Sequence, residues 1–289
     1  MSVSSSAPHE AVVPEAIAPR HRPRGPAPAA PRSLWQPLAR ILVAAATCAV
    51  LIALSVAFVD RPVATWVHEH LGDQRFGWFT SSYDGHMLAV GPFSVMASPA
   101  QALGLIAVVV IGVAAMLAAT GWRPKMRGRI VLTISLAIFA AKEVNSVAKS
   151  AFGRTWPESW LGDNRSWIND GVFGFFPFHG GSGWGSFPSG HATVITTFAT
   201  LLWVVWPELR VVWAASVAVV VAGLIGANYH FVSDVIGGVY LGAAVGFAIA
   251  KLMLLPGDHL NWSIIRKVAP PLELTLPARD ELRGPPDQT

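Results

Sequence analysis

Three short stretches hold residue types able to act on an anion. HFVSD, at 230–234, sets His230 and Asp234 four residues apart, on one face if the segment is helical. A carboxylate accepting from one imidazole nitrogen fixes the tautomer and makes the other nitrogen a better nucleophile or base; the plainer reading is a salt bridge that tethers a loop. SFPSGHATV, from Ser186, turns through Pro188, Ser189 and Gly190 into an apolar run, so Ser189 is placed to cap a helix. The unpaired N–H groups and positive dipole end of such a helix suit a phosphate, Gly190 admits a ligand close to the backbone, and His191 stands at the rim. A capped helix with an interfacial histidine is the alternative. KSAFGRTWP supplies Lys149 and Arg154, five residues apart, which either converge on an anion or extend toward lipid headgroups. Lys142, seven residues before Lys149 and on nearly the same helix face, either lines a polar cavity or pairs with Glu143 or a neighbouring helix.

The elements that must position these residues are membrane helices. The chain has 289 residues, 53% of them hydrophobic and only 13% charged, about half the charged share of a soluble domain. Apolar runs at about 41–59, 102–120, 130–149, 191–206, 211–229 and 235–255 predict an all-α polytopic membrane bundle of about six transmembrane helices. They are too long and too uniformly apolar for barrel strands, which alternate in polarity over about 10 residues. The run at 191–206 is the weakest, being short and opening on a histidine.

Basic residues fix the expected sidedness. Five arginines from Arg20 to Arg40 precede the first run, Arg123 to Arg129 fill the second connection, and Lys251, Arg266 and Lys267 follow the last. Six crossings put these on one side, which the positive-inside rule makes cytoplasmic. Both termini are then cytoplasmic, and the three stretches lie on the extracytoplasmic face of a bacterial inner or plasma membrane. Residues 1–40 read as a disordered basic tail with affinity for anionic headgroups, and 256–289 as a second cytoplasmic tail. The first apolar run begins too far in, and runs too long, for a signal peptide. The net charge of +4 is explained by topology; no aromatic-basic platform suggests nucleic acid. Cys48 is the only cysteine, which excludes an intrachain disulfide and a cysteine metal site. HGGSGWGS lacks the Gly-Lys-Ser/Thr ending of a nucleotide loop.

In the six-span arrangement two cations, a helix N-terminus and two histidines meet on one side, which suits a phosphate needing positive charge, a nucleophile and an acid. The order KSAFGRTWP, PSGH, HFVSD resembles the superfamily of type 2 phosphatidic acid phosphatases, lipid phosphate phosphatases and vanadium haloperoxidases, over about residues 41–255. The resemblance implies a membrane phosphatase domain in which His230 attacks phosphorus to give a phosphohistidine while Asp234 orients its ring. His191 protonates the departing oxygen and later activates water. Ser189 and the Gly190 N–H hold phosphate oxygens, Lys149 clamps another, and no metal or other cofactor is required.

Two positions depart from the family pattern. The seventh residue after Lys149 is Trp156 where the motif has arginine, and the sixth before His230 is Leu224 where it has another. Arg154, which also occurs in a common form of the motif, is the candidate substitute clamp, and Arg165 a second. The tryptophans and phenylalanines of 150–188 suit a substrate whose tail stays in the bilayer, or anchor the loop at the interface. The reading is an integral membrane enzyme that hydrolyses a phosphomonoester or diphosphate of a lipid. The alternatives are a lipid phosphotransferase using the same histidine and a catalytically degenerate lipid-phosphate-binding protein.

Overall fold

The computed structural model describes residues 35–75, 79–83, 86–159 and 164–253. Most of the N-terminal tail and the whole tail from 256 lie outside these residues, as does Trp160. Two compact units divide the chain, Met1–Leu42 and Val43–Thr289. Of the first, only the opening turns of a helix are described, so residues 35–40 are helical where the sequence suggested tail.

That helix, α1 (Trp35–Leu54), runs through a π-helical turn at Ser55–Val59 into α2 (Asp60–Arg75). The apolar helical stretch Ala39–Leu71 has 33 residues, roughly 50 Å at about 1.5 Å per residue, against a hydrocarbon core of about 30 Å. The expected end at 59 was set by Asp60 and Arg61, yet Asp60 is buried, with 1% of its surface exposed. An antiparallel hairpin follows, β1 (Phe79–Tyr83) with β2 (His86–Val90), registered from Phe79 opposite Val90 to Tyr83 opposite His86. Among the described residues it is the one sheet, beside isolated bridges such as Arg154 with Phe175.

α3 (Pro92–Ala119) begins ten residues earlier than its apolar run, because Pro92 is tolerated in the first turn, where its missing N–H has no intrahelical role. α4 (Met126–Phe152), a short α5 (Trp167–Asp170), α6 (Gly190–Val205), α7 (Arg210–Gly226) and α8 (Val232–Met253) complete the set. Among the described residues, five helical stretches are long and apolar enough to cross a membrane, with α6 as a sixth, shorter one. Large apolar side chains on the outer faces stay uncovered, among them Phe58 at 72%, Val147 at 71% and Val211 at 81% exposure. Such faces need lipid, and the protein is an integral membrane bundle.

α6 has 16 residues, short for a span, and it is the inner helix: α3, α4, α7 and α8 all pack on it. Its threonines are buried, and two turn their hydroxyls back to the helix, Thr193 to the Ser189 carbonyl at 2.8 Å and Thr197 to that of Thr193 at 2.9 Å. α8 meets it through Gly238, Gly242 and Gly246, one every turn. A Cβ on Gly242 would lie 2.4 Å from the Thr193 carbonyl oxygen. This small-residue stripe lets the two backbones approach closely, as helices in lipid do when packing alone drives their association. The contact carries the N-termini of α6 and α8, and so His191 and Asp234, into register.

Candidate active site

The site is assembled where α4 ends and α6 and α8 begin. α4 stops at Gly153, whose φ of +55° and a virtual Cβ only 1.9 Å from the Phe176 carbonyl oxygen exclude a side chain. Between α7 and α8, Asn228 takes φ +56° and donates to the Ala64 carbonyl at 3.2 Å and to Glu158 at 3.1 Å. That residue type tolerates the left-handed region, and the two bonds tie the 227–231 connection to α2 and to the segment after α4.

Lys149, Gly190, His191 and His230 line one cavity of about 580 Å³, together with Trp156 and Tyr229. His230 and Asp234 do meet, but not along a helix. Asp234 sits in the first turn of α8 and His230 just before it, with Nδ1 3.6 Å from the carboxylate Oδ2. Ser186 donates to that oxygen at 2.5 Å and lies 3.5 Å from Nδ1, while the Phe231 N–H donates at 2.9 Å. The carboxylate is thereby fixed, and with Nδ1 turned to it, Nε2 is the ring nitrogen left for the cavity.

Burial pushes the His230 pKa below the usual histidine range, and the Lys149 charge acts in the same direction, while Asp234 opposes both. The sign follows directly: the neutral, nucleophilic ring persists as pH falls past about 6.5, the ordinary histidine value. In histidine side-chain NMR, the resonance missing from His230→Ala is expected to titrate below that value. A midpoint at or above it would contradict a buried neutral imidazole.

Lys149, in the last turn of α4, donates to the Gly185 carbonyl, and its ammonium stands 5.3 Å from the Trp156 ring centre. One turn earlier Asn145 donates to the Pro188 carbonyl and to Thr193 Oγ1, both at 3.1 Å, locking α4 to the start of α6. Trp156, at the family's arginine position, forms an aromatic wall whose ring centre is 5.2 Å from that of His230. Leu224 is fully buried in the packing of α7, so no cation reaches the site from there.

Three of the expected phosphate contacts are placed elsewhere. Arg154 is not open to the cavity. It is 0% exposed, and its guanidinium contacts Asp234 at 2.9 Å, Asp60 at 2.6 Å and the Ser233 hydroxyl. Phe175 and Phe231 cover it, at 4.5 and 4.8 Å from their ring centres. Two carboxylates outcompete a transient phosphate for a buried guanidinium. Ser189 is also fully buried: it caps α6 by accepting from the Ala192 N–H at 3.4 Å, as its sequence context suggested, and does not line the cavity. Arg165 pairs with Asp170 at 3.7 Å, largely exposed, and is no replacement clamp.

Sequence reading missed Asp60, Ser186 and Ser233. Asp60 accepts from Ser55 at 2.8 Å, from the Ser233 N–H at 3.0 Å and from Arg154. Its signal was an acidic residue within a helix otherwise long enough to span, where ionisable groups usually have a partner and a function. Among the described residues, no cluster of three or more His, Cys, Asp or Glu is arranged to hold a metal.

Fold and site together define an integral membrane helical protein with a cationic cavity lined by two imidazoles, one of them backed by a buried carboxylate. Residues 130–256, which take in most of α4 through α8, match the family model described as the PAP2 superfamily. The chain is similar to the protein named lipid A 1-phosphatase of Rhizobium johnstonii, 33% identical over 98 residues, which is 34% of this chain and 37% of that relative. It is also similar to lipid A 1-phosphatase of Rhizobium etli, 28% identical over 134 residues, 44% of this chain and 54% of the relative. The similarity thus spans about a third to a half of the length of these curated relatives. No solved structure matches the chain.

Proposed function

We propose that the protein is a lipid phosphatase that removes a terminal phosphate, from a monoester or diphosphate, on the extracytoplasmic side of the membrane. The observation that carries this is the cavity shared by His191, His230, Lys149 and the start of α6. Nε2 of His230 attacks phosphorus, the bond to the leaving oxygen breaks, and His191 gives that oxygen its proton. The resulting phosphohistidine carries positive charge on the ring, which Asp234 balances from the Nδ1 side. His191, now neutral, takes a proton from water, whose oxygen attacks phosphorus and frees His230. Lys149 and the Gly190 N–H hold the equatorial oxygens as charge builds on them. The proposed sidedness is supported by the basic connections, which the positive-inside rule assigns to the cytoplasm.

The test is release of inorganic phosphate by the purified protein from a panel of lipids: phosphatidic acid, a polyprenyl diphosphate and lipid A 1-phosphate, the last included because the relatives carry that name. Turnover of at least one lipid, inhibited competitively by vanadate, is the expected result. No release from any of them, with vanadate binding retained, would mean a binding protein.

A further inference from the structure

The cavity does not end at the two histidines. It continues between α3 and α4 past Ala100, Gly104 and Val194 to Lys142. Lys142 lies seven residues before Lys149 on α4, two turns or about 10 Å further from the helix end that bears the site. That depth is well inside a stretch long enough to span the membrane, Arg127–Phe152. An ammonium there is costly unless something compensates it. Among the described residues no hydrogen bond or ion pair is recorded for it, and the neighbouring Glu143 does not supply one. Room for its head is made by Gly104 of α3: a Cβ there would stand 3.3 Å from Lys142 Nζ. The charge thus sits in the lower part of the cavity, on the side where the hydrocarbon of a lipid bound at His230 would leave.

We infer that Lys142 is the subsite for a second phosphate, lying between the scissile terminal phosphate and the lipid tail. The inference rests on the phosphatase reading and narrows its substrate class. A lipid with one phosphate brings one anionic group, which Lys149 and the start of α6 already serve. A lipid with two, joined directly as a diphosphate or through a short polyol, carries an inner anion down the cavity to Lys142. Loss of the motif arginine at Trp156 leaves the outer phosphate with fewer cations, so the inner contact weighs more in selecting substrate. A charge-assisted hydrogen bond of this kind corresponds to a factor of about ten or more in affinity.

The experiment compares Lys142 with Lys142→Met on two matched pairs: farnesyl diphosphate against farnesyl monophosphate, and phosphatidylglycerol phosphate against phosphatidic acid. Binding is measured in a His230→Ala background, where turnover cannot interfere, and kcat/KM in the otherwise wild-type protein. The expected result is a loss of tenfold or more for a two-phosphate lipid, at least fivefold larger than for its partner, partly restored by Lys142→Arg. The pair that shows it identifies the spacing of the two phosphates. Equal losses within both pairs, or none in either, overturn the inference. If the wild-type protein releases phosphate from no lipid, the phosphatase reading fails, while the binding ratio still decides the role of Lys142.

Discussion

His230→Ala is expected to reduce phosphate release by roughly 10⁴-fold or more, the scale on which removal of a covalent nucleophile acts. The reason is that nothing else at the cavity can take its place. Among the described residues no carboxylate pairs with His191, whereas His230 has Asp234 held by Ser186, the Phe231 N–H and Arg154. The ring is nearly buried and packs on Trp156, so its removal leaves a void but breaks no charged contact essential to the fold. Lipid binding and the melting temperature should therefore change far less than the rate. Acid quenching of the wild-type protein on labelled substrate should trap an acid-labile phosphoprotein that the variant cannot form. Residual turnover within tenfold of wild type would transfer the nucleophile's role to another residue.

Arg154→Ala should be the most damaging change for the folded state, at about 3–5 kcal/mol, because it strands two buried carboxylates where one guanidinium served both. A phosphate clamp and a buried strut make opposite forecasts. Loss of a clamp raises KM, or lowers the rate, in a protein that still melts normally. Loss of the strut lowers the melting temperature and the yield of folded protein together, while alanine at the exposed Arg165, whose pair is worth at most about 1 kcal/mol, does neither. Asp60→Asn separates the two halves of the network. It keeps one oxygen to accept from Arg154 and the Ser233 hydroxyl, loses the one that accepts the Ser233 N–H, and leaves Asp234 alone to balance the guanidinium, so less negative charge remains for the phosphohistidine ring. The expected outcome is a lower kcat with a nearly constant KM. A change in KM alone would return Arg154 to the role of substrate contact.

The contrast between Arg154 and Asp234 shows what was legible. HFVSD and PSGH were readable because each is local: the cap of α6 by Ser189 spans three residues, and His230 to Asp234 spans four. Arg154 was read as a clamp because it lies two residues from the position that Trp156 occupies. Its true partners are 80 and 94 residues away in sequence, and no spacing rule reaches that far. Asp60 was hidden for a related reason. A charge inside an apolar stretch looks like the end of a helix until its counter-charge is known, and here α1 continues through it into α2. α6 was faint because it is short and opens on a histidine; surrounded by other helices, it carries buried threonines at no cost to its place in the bundle.

By itself the sequence determined the helical bundle, the approximate helices and the short stretches that carry the imidazoles, because a bilayer demands long apolar runs and motifs act over one or two turns. Only the tertiary structure decided that Lys149, His191 and His230 share a cavity, that Lys142 lies further along it, and that Arg154 and Asp60 stand behind Asp234 instead of facing the substrate. Those assignments depend on how helices far apart in the chain are rotated and brought together. That is set by glycine contacts such as Gly242 on Thr193 and by neutralisation of buried charge, both of which act through space.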